Sequence, residues 1–291
     1  MNMTEQDFEQ QRAKLWHMDG SPIHTVEGAR NFIENAGFCV MYPERSLPAV
    51  PSFMGAYAGS AAGLPDAKHA FADPRAQQAT ELMVLLLREK SAFEMNLSGD
   101  TNLIISAALF PFFYALVGDR NPKAVPKTKA QGAKVSELSS GVFTALQNHG
   151  PLSKGQIQEH VGREISLTAL DRSLAELWSI LKITRVDYKP NEGAYWDVLY
   201  RWAPKVVKEG LNISSPEAIS ALVSKYLETV VAAEQEDVEQ FFSHLTSRSK
   251  IREAVNALLQ ARELSFLTLG TKTLIRMTPP PEQQQQRRRN G

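Results

Sequence analysis

The feature that most constrains the fold of this chain is an amphipathic helix followed at once by a two-stranded hairpin. In its last occurrence, apolar side chains recur at helical spacing over residues 248–261. Two short segments, 264–269 and 272–277, flank a turn at Gly270 and Thr271, and a glycine near the turn centre is typical of a hairpin.

The same pattern occurs twice earlier in the chain. In the first occurrence, Asp73 suits the N-cap of the helix and Pro74 suits its first turn. The helix and the two strands lie at 73–90, 92–97 and 101–106 in the first occurrence, and at 167–181, 183–188 and 194–200 in the second. Because the helices are much longer than the strands, the sequence predicts a mainly α protein with small β-hairpins, an α+β fold.

Two further helices precede the helix and hairpin in the second and third occurrences. Three helices followed by a hairpin is the winged-helix order, in which the hairpin is the wing. We therefore predict three tandem winged-helix units, of which the first is degenerate because a long segment rich in Pro, Gly and Ala interrupts it at 43–66. The predicted divisions are an extension at 1–24, units at 25–119, 135–204 and 205–278, a linker at 120–134 and a tail at 279–291.

Composition limits the class of partner. The 291 residues include 32 Lys and Arg against 32 Asp and Glu, so the zero net charge gives no general attraction to nucleic acid. The single cysteine, Cys39, favours a reducing cytoplasm over secretion. The most apolar stretch, 103–117, is shorter than the roughly 20 residues of a membrane span, so we expect a buried strand and helix there, no membrane partner, and a monomer.

The common signatures of catalysis and cofactor binding are absent from the sequence. We find no phosphate-binding glycine loop, no GxGxxG, no GxSxG and no His or Cys cluster with metal-ligand spacing. We therefore expect no metal and no small-molecule cofactor. His17 and His24, near Asp19, form a conceivable catalytic pair, although loop histidines without a role are more common.

Residues on the hairpin helices are suited to contact with double-stranded DNA. In helix-turn-helix modules the third helix enters the major groove, where Arg reads guanine and Asn reads adenine. The candidates in the middle unit are Arg163, Thr168 and Arg172, and those in the third unit are Arg248, Lys250, Arg252 and Asn256. An ordinary solvated helix face explains the same residues, so both interpretations stay open.

Cations on the linker and the wings are candidates for phosphate contact. The linker has five basic residues and no acid before Glu137, and Lys123, Lys127, Lys129 and Lys134 are its candidate DNA-binding residues. Lys189 is the chosen wing residue, and the other cations considered on the wings are Lys182, Arg185, Lys272 and Arg276. Trp178 and Trp196 are interpreted as core residues rather than as platforms for stacked bases.

Several segments resemble the AlkZ/YcaQ family of bacterial DNA glycosylases, and most closely its AlkZ-related branch. The resemblance extends over residues 27–277 and implies three tandem winged helices and a role in DNA repair. The segments that carry it are EGARNFIENAGFC at 27–39, AFADPR at 70–75, FFYALVGDRNP at 112–122 and FFSHL at 241–245.

The resemblance also implies a catalytic Gln-x-Gln or Gln-x-Asp pair in the first unit. This chain has only the adjacent Gln77 and Gln78 there, and its Gln156 and Gln158 lie in the second unit, where Gln156 fits a capping box with Ser153. No catalytic residue is therefore assigned, although Glu94 and Asp100 on the first hairpin are available carboxylates.

Three functions follow from these observations. The first is a DNA-binding protein of repair. The second is an active base-excision glycosylase for alkylated or crosslinked bases. The third is a scaffold for protein interaction or a transcriptional regulator, because winged helices also bind proteins.

Overall fold

The computed structural model describes residues 4–98, 101–128, 132 and 135–280, and about half of these residues are helical. Several helices begin directly after a residue whose side chain caps the first turn. Ser153 and Gln156 form the predicted capping box. The helices are α1 Glu5–Leu15, α2 Val26–Ala36, α3 Phe53–Ala58, α4 Pro74–Arg88, α5 Phe110–Val117, α6 Glu137–His149, α7 Lys154–Val161, α8 Leu167–Ser179, α9 Leu199–Trp202, α10 Pro204–Asn212, α11 Ser215–Val230, α12 Gln235–Phe242 and α13 Arg248–Gln260.

The strands form three small antiparallel sheets. Their orders are β1-β3-β2, β4-β6-β5 and β7-β8. The strands are β1 Phe38–Val40, β2 Ala92–Ser98, β3 Thr101–Ser106, β4 Leu152–Ser153, β5 Ile183–Lys189, β6 Gly193–Val198, β7 Leu264–Leu269 and β8 Lys272–Met277. The expected α+β class is confirmed, and so is the strand and helix in the apolar stretch, as β3 and α5.

One order of elements recurs three times. A helix, a strand, two helices and a hairpin follow each other as α2-β1-α3-α4-β2-β3 and as α6-β4-α7-α8-β5-β6, and in both sheets the first strand pairs with the last. In the third set, α11-α12-α13-β7-β8, the first strand is reduced to one bridge between Ala233 and Ile275. The first set contains all of these elements, although the sequence predicts it to be degenerate.

Three segments differ from their sequence-based description. The 43–66 segment is not structureless, because Ser52 caps α3 within it. The extension at 1–24 contains α1, which packs on the third unit: Trp16 Nε1 donates to the Thr229 carbonyl at 2.8 Å. Helix α10, which periodicity did not reveal, packs against α5, where Gly210 lies against Tyr114 and leaves no room for a Cβ.

The main core joins the three sets of elements. Phe38 of β1 stacks on Phe241 of α12 with ring centroids 5.5 Å apart, and Phe241 stacks on Tyr226 of α11 at 5.0 Å. All three side chains are fully buried. Because this contact is made of large rings, it fixes the first sheet against the third helical set. Within the described ranges, no helix combines the length and apolarity of a membrane span.

Candidate nucleic-acid interface and central cleft

Helix α13 carries four of the candidate DNA-binding residues on its outer face. Its inner face buries Ile251, Val255 and their neighbours against the core. The side chains of Arg248, Lys250 and Asn256 are exposed, and no hydrogen bond or ion pair joins any of them to another described residue. The N-cap position, Ser247, makes no side-chain cap hydrogen bond, so backbone N–H groups at this end remain available to an anion.

Arg252 lies on the same helix but is already engaged. Its Nε and Nη2 atoms donate to the two carboxylate oxygens of Glu239 at 3.0 and 2.7 Å. Glu239 is buried on α12, and the guanidinium holds the pKa of this carboxyl below its usual value. Such bidentate pairs are among the stronger polar contacts in proteins. Arg252 therefore secures α12 against α13, and Arg248 and Lys250 are the cations left for a ligand.

Helix α8 presents the candidates of the middle unit. Thr168 and Arg172 are exposed, and Arg172 makes no ion pair with any residue that the structure describes. Arg163, just before this helix, lies 3.4 Å from Glu159 in a mostly exposed pair, which contributes little to stability and leaves the cation accessible. Lys154 pairs with Asp171 and partly neutralises the one acid on this face.

Two lysines at the middle hairpin, Lys182 and Lys189, have different surroundings and different roles. Lys189 is exposed, and its ammonium lies 4.3 Å from the centre of the Tyr195 ring. The prediction of phosphate contact by Lys182 is wrong, because this residue is 1% exposed. Its Nζ donates to the carbonyls of Asn121 and Ala124 at 2.5 and 2.6 Å, and burial lowers its pKa. Lys182 thus anchors the start of the linker.

The described part of the linker is fastened to the protein along its backbone, and two of its lysines are exposed. Gln147 donates to the Lys123 carbonyl at 3.0 Å, and Ser140 donates to the Pro126 carbonyl at 3.0 Å. The side chains of Lys123 and Lys127 are exposed. Lys129 and Lys134 lie outside the described residues.

A cleft of about 1150 Å³ opens between the first sheet, the 43–68 segment and the wing of the middle unit. Its apolar wall includes Val40, Met41, Tyr42 and Met83. Its charged lining residues are three acids and three bases, namely Glu44, Asp66, Glu94, Arg45, Lys68 and Arg185. Because these charges balance, the cleft is suited to a polar ligand with an apolar face better than to a run of phosphates.

Glu94 is the buried carboxylate on the polar side of the cleft. Asn102 Nδ2 donates to Glu94 Oε1 at 3.0 Å, and Arg185 Nη1 lies 3.1 and 3.2 Å from the two carboxylate oxygens. The Arg185 guanidinium lies over the rings of Trp178 and Trp196, 4.6 and 5.2 Å from their centres. This network joins β2 of the first unit to β5 of the middle unit.

Sequence reasoning left Glu94 among unassigned carboxylates and did not connect it with Arg185. The available signal was a charged residue between Phe93 and Met95 in an apolar strand, which indicates a buried polar partner. Trp178 and Trp196 are buried, as predicted, and Trp178 Nε1 donates to the Glu94 carbonyl at 3.0 Å. Asp100 lies outside the described residues.

The structure gives the other candidates structural partners. Gln156 accepts from the Ser153 N–H at 2.9 Å, and Gln158 donates to the Ile165 carbonyl at 2.6 Å. Both glutamines therefore stabilise the local structure around α7. His17 and His24 are separate, and they contact the carbonyls of Ser21 and Tyr57.

The fold of this chain is similar to that of a solved structure. It is the DNA glycosylase AlkZ of Streptomyces sahachiroi, which is 13% identical, with a TM-score of 0.60 over 98% of this chain and 72% of that one. At this identity the match shows the fold. No protein of curated function matches the chain.

The family comparison is more specific. A family model described as DNA glycosylase AlkZ-like matches residues 65–289, which is well over half of the chain. The match covers α4, the first hairpin with Glu94, and everything after them. The chain belongs to the AlkZ-like DNA glycosylase family.

Proposed function

We propose that this protein binds double-stranded DNA and acts in DNA repair, with α13, α8 and the linker on the phosphate backbone. The observation that carries the proposal is the pair of exposed cations, Arg248 and Lys250, at the uncapped start of α13, in a chain of a DNA glycosylase family. Exposed N–H groups and cations at a helix start attract phosphate. The proposed organisation is three tandem winged-helix units, and the proposed location is the cytoplasm.

A salt titration tests duplex binding. We expect the dissociation constant of a labelled 20-base-pair duplex, measured by fluorescence anisotropy, to rise steeply with salt, since each neutralised phosphate adds about 0.9 to the logarithmic slope. Four or more contacts predict a slope of about 3.5 or steeper. A slope near zero would favour the scaffold function instead. An affinity for an acidic protein partner equal to that for the duplex would do the same.

The cleft supports a second candidate function, hydrolysis of an N-glycosidic bond. In this reaction a water oxygen bonds to the sugar C1′, the C1′–N bond breaks with its electron pair on the base, and a proton leaves the water. A carboxylate stabilises the positive charge on the sugar and can accept that proton. Glu94 is a buried carboxylate on this cleft, and it would take the place of the missing glutamine pair.

An assay for abasic sites tests the second candidate. We expect duplex carrying N7-alkylated guanine to accumulate abasic sites with the unaltered protein and to show none above buffer with Glu94→Gln. The control is Glu89→Gln, an exposed carboxylate on the first unit that pairs with Arg30 outside the cleft. If the unaltered protein forms no abasic sites, the glycosylase function is excluded and the duplex-binding proposal is unaffected.

A further inference from the structure

Phe71 is the most exposed large apolar side chain described, at 79%. It lies in the short 3-10 turn Ala70–Ala72, between the segment that walls the cleft and the start of α4. Beyond Ala70 and Ala72, the nearest residues in the chain, Lys68, His69 and Asp73, are polar.

The backbone below Phe71 is held firmly. Ala70 is buried, Gln77 Nε2 donates to the Phe71 carbonyl at 3.2 Å, and Asp73 caps α4 by accepting from the Arg75 N–H at 2.8 Å. The ring is therefore presented outward by a fixed turn. Because the ring stays exposed to water, it buries little apolar surface and contributes little to the stability of the fold.

The turn is also tied to the wall of the cleft. Arg75 Nη2 donates to the Gly63 carbonyl at 2.9 Å, and Gly63 lines the cleft. Asp66, another lining residue, accepts from the N–H groups of Lys68 and His69 at 3.0 and 2.9 Å. The turn that carries Phe71 thus follows closely on Lys68, a lining residue of the cleft. The cleft volume of about 1150 Å³ exceeds that of ordinary ligand pockets, about 300–1,000 Å³, and leaves room for a nucleoside.

From this placement we propose that Phe71 is a wedge that inserts between base pairs of bound duplex beside the cleft. An apolar side chain in this role partly unstacks a base step, and it occupies the space that a displaced base leaves. Lys68 lines the cleft three residues before Phe71, and in this proposal its ammonium contacts the phosphate next to the opened step. The inference rests on the proposed duplex binding and adds the residue that deforms the DNA.

Fluorescence of 2-aminopurine tests the wedge. The probe is a 20-base-pair duplex with 2-aminopurine beside a tetrahydrofuran abasic analogue, measured at saturating protein. We expect the unaltered chain to raise the fluorescence and Phe71→Ala to abolish most of that rise, while Phe71→Trp retains it. Loss of a stacked ring weakens binding by about fivefold or more, so Phe71→Ala is saturated at a correspondingly higher concentration.

The matched control is Phe266→Ala, which removes an exposed ring, 62% exposed, from the third hairpin outside the cleft lining. We expect its fluorescence rise at saturation to equal that of the unaltered chain. An equal rise with Phe71→Ala overturns the wedge and leaves duplex binding intact. Absence of any binding by the unaltered chain, seen in anisotropy, overturns the proposed function and the wedge with it.

Discussion

Replacing Glu94 by Ala is expected to lower the free energy of unfolding by about 3 kcal/mol, because breaking a buried ion pair leaves its partner uncompensated. The Glu94 side chain is 3% exposed and that of Arg185 is 32% exposed, so the value lies at the lower end of the range for such pairs. Asn102 also loses the acceptor of its amide hydrogen bond. Urea unfolding followed by tryptophan fluorescence measures the change, since Trp178 and Trp196 contact Arg185.

A double-mutant cycle separates the ion pair from simple loss of packing. We expect Glu94→Gln combined with Arg185→Met to cost less than the sum of the two single substitutions, because neither partner is then left charged and unpaired. The matched single control is Glu89→Ala, which removes an exposed partner of Arg30 and should cost less than about 1 kcal/mol. Additive effects in the cycle would show that Glu94 and Arg185 do not depend on each other.

Local periodicity was enough to locate the long elements of this fold. The predicted hairpin at 264–269 and 272–277 coincides with β7 and β8, because alternation and a glycine turn lie within one short stretch. Strand β4 has only two residues, Leu152 and Ser153, too few for any period, and it exists because β6 is there to pair with it. Helix α10 was missed, and its inner face packs on α5.

The cleft was beyond sequence reasoning for a related reason. Glu94 and Arg185 are 91 residues apart, and only the packing of the first and middle units brings them to 3.1 Å. Charge alone also cannot separate Lys182, which is buried against the linker just before β5, from Lys189, which is exposed at the end of β5. The exposed side of α8 and α13 was easier to predict, because helical periodicity fixes which side of a helix faces outward.

Reversing the two free cations of α13 is expected to weaken duplex binding strongly. Arg248→Glu with Lys250→Glu places two acids where the backbone N–H groups and the helix dipole would receive phosphate. We expect the dissociation constant in about 0.15 M salt to rise tenfold or more, and the logarithmic salt slope to fall by about 2 as two phosphate contacts are lost. Arg252 is left unchanged, because its bond to Glu239 would make a loss of affinity inseparable from a loss of stability.

The control must change the total charge equally, since four units of charge alter long-range attraction everywhere on a protein of this size. Lys205→Glu with Lys208→Glu on α10 does so at two exposed positions outside α13 and α8. Screening over about 8 Å at physiological salt confines most of that effect to the neighbourhood of α10, so affinity should change much less than with the α13 reversal. Equal losses for the two double variants would show that attraction is general and that α13 does not contact DNA. An unchanged affinity for the α13 variant would leave α8 and the linker as the contact surface.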